Sequence, residues 1–132
     1  MRNEILKLHF ESAADNRLKM LKKSTTYHRL LEKYFSLIVP VNSTVIEIGC
    51  GTGDLLSVLK PERGVGVDFS EKMISIAKNR YPDLKFLVQE AEKLEISEKF
   101  DYIILSDLVS SLSDVQQTFE KIHLVSHKRS RI

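Results

Sequence analysis

Apolar residues along the first 39 positions recur at three- and four-residue steps. Leu18, Leu21, Tyr27, Leu30, Leu31, Tyr34, Phe35 and Ile38 hold that spacing, which predicts helix. Ser24-Thr25-Thr26 interrupts the run and caps a second helix; Pro40 ends it, and Asn42-Ser43 make a turn. The period then changes. Thr44 to Ile48 is a short β-branched run that predicts a buried strand, Gly49 to Gly53 a loop, and Asp54 to Lys60 a short helix stopped by Pro61. Gly64 to Asp68 predicts a second strand. Ser70 is placed to cap a helix through Asn79, with Pro82 beyond its end. Leu84 to Gln89 and Tyr102 to Ser106 predict two more strands. A last helix is expected from Ser113 to about Ser126, with Val115, Phe119, Ile122 and Val125 on one stripe.

Short apolar strands alternating with helices predict an α/β fold, a parallel sheet covered on both faces. The expected division is an N-terminal helical cap over 1–39, a core over 40–127 and a frayed basic tail over 128–132.

Composition narrows the class. The chain has 132 residues, 42% hydrophobic and 29% charged, enough for one domain with a real core. Its net charge of +2 does not imply a nucleic-acid partner, and no aromatic stacking pattern or basic stripe does either. Residues 1–39 carry eight Lys/Arg against four Asp/Glu. That basic end reads as a solvated helical face, or as an attractor for an acidic substrate. No apolar run nears the ~20 residues that cross a bilayer, and the start lacks a signal-peptide core. The single cysteine, Cys50, excludes a disulfide framework. A soluble cytoplasmic protein is expected. His9, His28, His123 and His127 are scattered without ligand spacing, so no metal site is expected.

Chemistry concentrates in Glu47-Ile48-Gly49-Cys50-Gly51-Thr52-Gly53. Glycines admit positive φ and a close backbone approach, and the helix that follows points free N–H groups at the same place. Such a loop suits a nucleotide-like cofactor. A dinucleotide fingerprint wants Gly-x-Gly-x-x-Gly. Here the third glycine comes one residue early, and Asp54 occupies the last position, where it would repel a pyrophosphate. No Gly-Lys-Ser/Thr follows, which excludes a P-loop. S-adenosylmethionine has no phosphate and carries a sulfonium and an ammonium, so acids at Glu47 and Asp54 suit it better. Cys50 has no base placed to activate it.

Downstream acids extend the pattern. Asp68 ends the second strand 19 residues after Gly49, about where a nucleotide-binding fold keeps its ribose acid. Glu90 follows the third strand in Gln89-Glu90-Ala91-Glu92, although Glu92, Glu95 and Glu98 read equally as surface charge. Ser106-Asp107 ends the fourth. Gly49, Asp68, Glu90 and Ser106 all fall at carboxyl ends of strands, where open parallel sheets take their ligands.

At these residues the chain resembles the class I (Rossmann-like) S-adenosylmethionine-dependent methyltransferases. Glu47 to Gly53 is similar to their first motif, Gly66-Val67-Asp68-Phe69-Ser70-Glu71-Lys72-Met73 to their second, Gln89 to Leu94 to their third and Phe100 to Asp107 to their fourth. The resemblance covers about residues 40–125 and implies a three-layer sheet of order 3-2-1-4. It also implies that the loop of Gly49, Cys50, Gly51 and Gly53 holds the methionine part of the cofactor. Glu47 would orient that loop and the amino group, and Asp68 would bind the ribose. Phe69 and Met73 would flank the adenine, Glu90 and Ala91 would reach its edge, and Ser106 would lie near the transferred methyl. Tyr27 and His28 are candidates to close the site, with Tyr27 read more readily as core. No catalytic residue is assigned, and S-adenosylhomocysteine would be the product.

Family members continue past this length, so strands five to seven are expected to be absent. Strand four would then be an exposed edge open to a second copy or a partner chain. Three functions follow as alternatives: a methyltransferase acting on a small-molecule, lipid or sugar-like acceptor; a non-catalytic cofactor-binding fragment or pseudoenzyme working with a partner; and a nicotinamide oxidoreductase, which Asp54 disfavours.

Overall fold

The computed structural model describes residue 4, residues 25–105 and residues 114–132. The elements run α1 (Thr25–Ile38), β1 (Thr44–Ile48), α2 (Asp54–Val58), β2 (Arg63–Asp68), α3 (Glu71–Arg80), β3 (Lys85–Val88), a 3₁₀ turn (Ala91–Lys93), β4 (Phe100–Leu105), α4 (Val115–Leu124) and β5 (Ser126–Arg131). The strands form one sheet in the order β3-β2-β1-β4-β5, every neighbouring pair parallel.

Alternation along the strands feeds two cores, one on each face. Val45 packs with Val39, Leu56, Leu59, Ile74, Ala77, Phe86 and Ile104 under α1, α2 and α3. Ile46 and Ile48 pack with Val65, Val67, Phe100, Ile103, Ile122 and Val125 under α4. Two apolar faces need two helical layers, which is why β1 is nearly continuous in hydrophobicity. Ser70 caps α3 as expected, its hydroxyl accepting from Met73 N–H at 3.2 Å.

The fifth strand corrects the reading of the chain end. Residues 128–131, expected as a frayed tail, belong to β5, so the fifth strand is present and β4 is not an edge open to a partner. The run Ser-His-Lys-Arg-Ser-Arg has no apolar alternation to announce a strand. Pairing imposes it instead. Phe100 N–H donates to Val125 O at 2.9 Å, Ser130 Oγ donates to Phe100 O, and a register shift lets Ser126 face Phe100 while Arg131 faces Tyr102.

Helix α1 also departs from expectation. Tyr27, the one residue of its stripe read as core, is exposed, as are Leu30, Tyr34 and Ile38; Leu31 and Phe35 are half-buried. The helix meets the domain along one narrow side, so only residues one helical turn apart can be covered. On α4, Ile122 is buried while Val115 and Phe119 stay exposed for the same reason. Leu18 and Leu21 lie outside the described residues. Among the described residues no helix is long and apolar enough to cross a membrane.

The amino-terminal edge of the sheet is laced by polar pairs. Arg63, opening β2, makes a two-pronged contact with Glu98 at 2.8 and 2.9 Å. Thr44, opening β1, accepts from Asp101 N–H at 2.9 Å. His127 Nε2 lies 2.8 Å from Asp101 Oδ1, and its Nδ1 accepts from Arg129 N–H, the tautomer that leaves Nε2 as donor. The hydrogen bond from His127, then those from Thr44, hold Asp101 below the ordinary carboxylate range. The Arg63 hydrogen bond does the same for Glu98. A lowered folded-state pKa contributes stability that is full above the unfolded value and lost as pH falls through the folded one. Both carboxylates are solvent-facing, so screening keeps the effect small. Urea midpoints should therefore drop below about pH 4, and Asp101→Asn should flatten that decline while lowering the midpoint at pH 7. An acid decline of unchanged slope would mean the pair contributes nothing.

Candidate functional site

Ile48 at the end of β1 lies beside Val67 and Leu105, and Asp68 at the end of β2 lies beside Val88. The carboxyl ends of four strands thus share one edge. The chain leaving β1 must turn back over that edge to start α2, and three glycines make the turn. Gly49, Gly51 and Gly53 have φ of 81°, 56° and 81°, a region costly to any residue with a Cβ.

The loop coils onto the end of β2. Gly49 and Cys50 N–H both donate to Val67 O, at 2.7 and 3.0 Å, and Gly53 N–H donates to Cys50 O at 3.0 Å. Gly51 N–H donates to Asp68 Oδ2 at 2.9 Å, while Asp68 Oδ1 accepts from Ser70 N–H at 3.0 Å. One carboxylate therefore joins the glycine loop to the start of α3. Gln89 N–H donates to Asp68 O at 3.1 Å, which draws the end of β3 into the same site.

Gly53 and Gly66 serve packing as well. A Cβ on Gly53 would lie 2.6 Å from Phe86 Cζ, and one on Gly66 would lie 2.6 Å from Phe86 Cδ1 and 2.9 Å from Cys50 Sγ. The Phe86 ring fills the space that both glycines leave. Gly66 is also the β1 register partner of Glu47, which is 3% exposed and shares the Val45 face of the strand.

The other predicted residues are distributed unevenly. The Cys50 side chain is buried in the core, its Sγ turned toward Gly51 O, so only its backbone belongs to the cradle. Met73 is 1% exposed and Phe69 half-buried, both on the segment just after Asp68. Ala91 is a core residue packed with Leu94. Glu90 is half-buried, with Lys93 Nζ at 3.3 Å. Tyr27 and His28 sit on the first turn of α1, ring centroids 5.5 Å apart edge to face, and Tyr27 is exposed rather than core. Ser106 and Asp107 lie outside the described residues.

Asp54 does not act as the sequence suggested. Its carboxylate accepts from Thr52 Oγ1 at 2.6 Å and from the Tyr81 hydroxyl, and Arg80 Nη1 stands 3.1 Å away. Its charge is engaged by α3 instead of facing a ligand. Burial, then the hydrogen bond to Asp54, push the Tyr81 hydroxyl up to about 12, so it remains a donor at neutral pH. Thr52, Arg80 and Tyr81 were not singled out beforehand. The available signal was an acid directly after the loop with nothing local to pair it.

A parallel sheet with a glycine cradle and an acid at the end of β2 defines a nucleotide-type cofactor fold. Residues 41–132 match the model of a methyltransferase domain, and the chain belongs to that family. It is similar to a malonyl-acyl-carrier-protein O-methyltransferase of Bacillus cytotoxicus, 30% identical over 78% of this chain and 38% of that protein. It is also similar to a ubiquinone/menaquinone biosynthesis C-methyltransferase of Campylobacter jejuni, 26% identical over 74% of this chain and 46% of that protein. The chain thus spans less than half the length of these relatives. Among solved structures, magnesium protoporphyrin IX methyltransferase from Synechocystis PCC 6803, with bound S-adenosylhomocysteine, superposes with a TM-score of 0.77. It does so at 18% identity over 96% of this chain and 68% of that one, which shows a common fold.

Gly66→Ala tests the packing. The added methyl should cost about 1–3 kcal/mol in urea unfolding, and Phe86→Leu in the same chain should return part of it. Strictly additive losses would mean that the ring and the glycine are not in conflict.

Proposed function

We propose that this chain binds S-adenosylmethionine at the carboxyl edge of β1, β2 and β3 and forms the cofactor-binding part of a methyltransferase. The observation that carries the reading is the bond from Gly51 N–H to Asp68 Oδ2. It sets a glycine-rich loop against a half-buried carboxylate at the end of β2. Those features fit the cofactor's two ends. The loop at Gly49, Gly51 and Gly53 would take the methionine portion, with Glu47 orienting the loop and the ammonium. Asp68 would accept from the ribose hydroxyls. Phe69 and Met73 would flank the adenine, with Glu90 and the backbone at Ala91 at its edge. The bound cofactor supplies an electrophilic methyl on a sulfonium. The protein's part is to align an acceptor in line with that methyl and to exclude water.

The acceptor is proposed to be a small molecule. One relative is named for malonyl-acyl-carrier protein and the other for ubiquinone/menaquinone biosynthesis, so family membership alone does not select an acceptor. The cofactor reading now rests on Glu47, Asp68 and the cradle, since Asp54 is engaged elsewhere.

Calorimetry should show heat of binding with S-adenosylhomocysteine and none with NAD. Silence with the former would sink the proposal. Asp68→Ala should weaken binding about tenfold or more, through loss of a charged hydrogen bond and of the support for Gly51. Unchanged affinity would place the ribose elsewhere. Release of labelled methyl into acceptor in cell extract separates turnover from binding alone.

A further inference from the structure

Helix α3 is tied to the glycine loop at both ends. At its start, Asp68 and Ser70 join it to Gly51. At its finish, Arg80 and Tyr81 reach Asp54, the first residue of α2. The second tie has no obvious reason in the family motifs, because Tyr81 lies outside all of them.

Local structure explains why the loop needs it. Helix α2 has only five residues, and its N-cap, Gly53, offers no side-chain cap. A helix that short does not hold its own first turn. Asp54 compensates from within that turn. One carboxylate oxygen accepts from Thr52 Oγ1, a residue 2% exposed, and the other from the Tyr81 hydroxyl. Arg80 adds charge at 3.1 Å, with its guanidinium 5.5 Å from the Tyr81 ring centroid. Tyr81 itself is fixed, since its N–H donates to Ala77 O at 2.9 Å and its O accepts from Leu84 N–H at 3.2 Å. Its ring lies against Gly53, Cδ2 3.4 Å from where a Cβ would stand.

We infer that Tyr81 is a positioning residue for the cofactor cradle, acting through Asp54 to hold Thr52 and the left-handed Gly53 in the turn that aims the loop's backbone at the methionine portion. This rests on the cofactor reading above. Tyr81 acts on one end of the ligand only. The ribose and adenine end depends on Asp68 and the end of β3, which the Asp54 cluster does not touch.

Tyr81→Phe removes one oxygen and keeps the ring. In calorimetry at a temperature where circular dichroism shows the variant folded, its Kd for S-adenosylhomocysteine should rise about tenfold, equivalent to ~1.4 kcal/mol. Its Kd for methylthioadenosine, which lacks the amino-acid end, should stay within twofold. A variant that binds both as the wild type does, or loses both equally, overturns the inference. If Tyr81→Phe does not fold, Thr52→Val removes another donor to Asp54 and is held to the same two criteria. Where both fold, the double variant should lose no more than about the larger single effect; additive losses also overturn it. Wild-type protein that binds no S-adenosylhomocysteine refutes the cofactor reading instead, before any variant is measured.

Discussion

The site depends on one bond from a backbone N–H to a carboxylate, Gly51 to Asp68, 2.9 Å long. It can form because β1 and β2 run parallel in a register that sets Ile48 against Val67, so the chain leaving one strand passes directly over the end of the other. Positive φ at three glycines lets the backbone stay that close. Glycine at position 66 lets Phe86 pack beneath the turn. Each of these would be a defect in isolation, since glycine inside a strand and left-handed backbone both cost stability. Together they fold the loop back onto the end of β2.

The two edges of the sheet divide the labour. At the carboxyl edge, polar groups hold a loop in an uncommon shape. At the amino edge, Arg63–Glu98 ties β2 to the segment before β4, and Asp101–His127 ties β4 to β5. Polar pairs of this exposure contribute modestly; their position matters more than their strength, because they fasten the strands at the edge away from the cradle. Hydrophobic burial on both faces carries the sheet itself, with Phe100, Ile46, Ile103 and Ile122 almost wholly enclosed.

Sequence reasoning saw what local chemistry encodes. The glycine loop, the Ser70 cap and the four apolar strands were legible because each has its own signature in residue type or period. The 3-2-1-4 order followed from resemblance and is present. What failed was whatever tertiary pairing decides. Nothing in Ser126 to Arg131 alternates, so β5 was invisible until Phe100 and Asp101 supplied its partners. The apolar stripe of α1 was genuine as a pattern, but a stripe does not say which part of it is covered. Asp54 was read by charge alone, and its partners Arg80 and Tyr81 sit 26 and 27 residues away. At the site, Gly51 and Asp68 were found as separate signals; their direct bond was not.

β5 has a consequence for how copies of this domain behave toward one another. Among the described residues it is the outermost strand on its side, and it replaces the oily Tyr-Ile-Ile-Leu ladder of β4 with Lys128, Arg129 and Arg131. A ladder of like cations resists zipping onto its own image, since every added strand would bring the same charges into register. The bulge against Tyr102 twists the strand further from the flat geometry that stacking requires. Any strand laid along β5 would meet these cations.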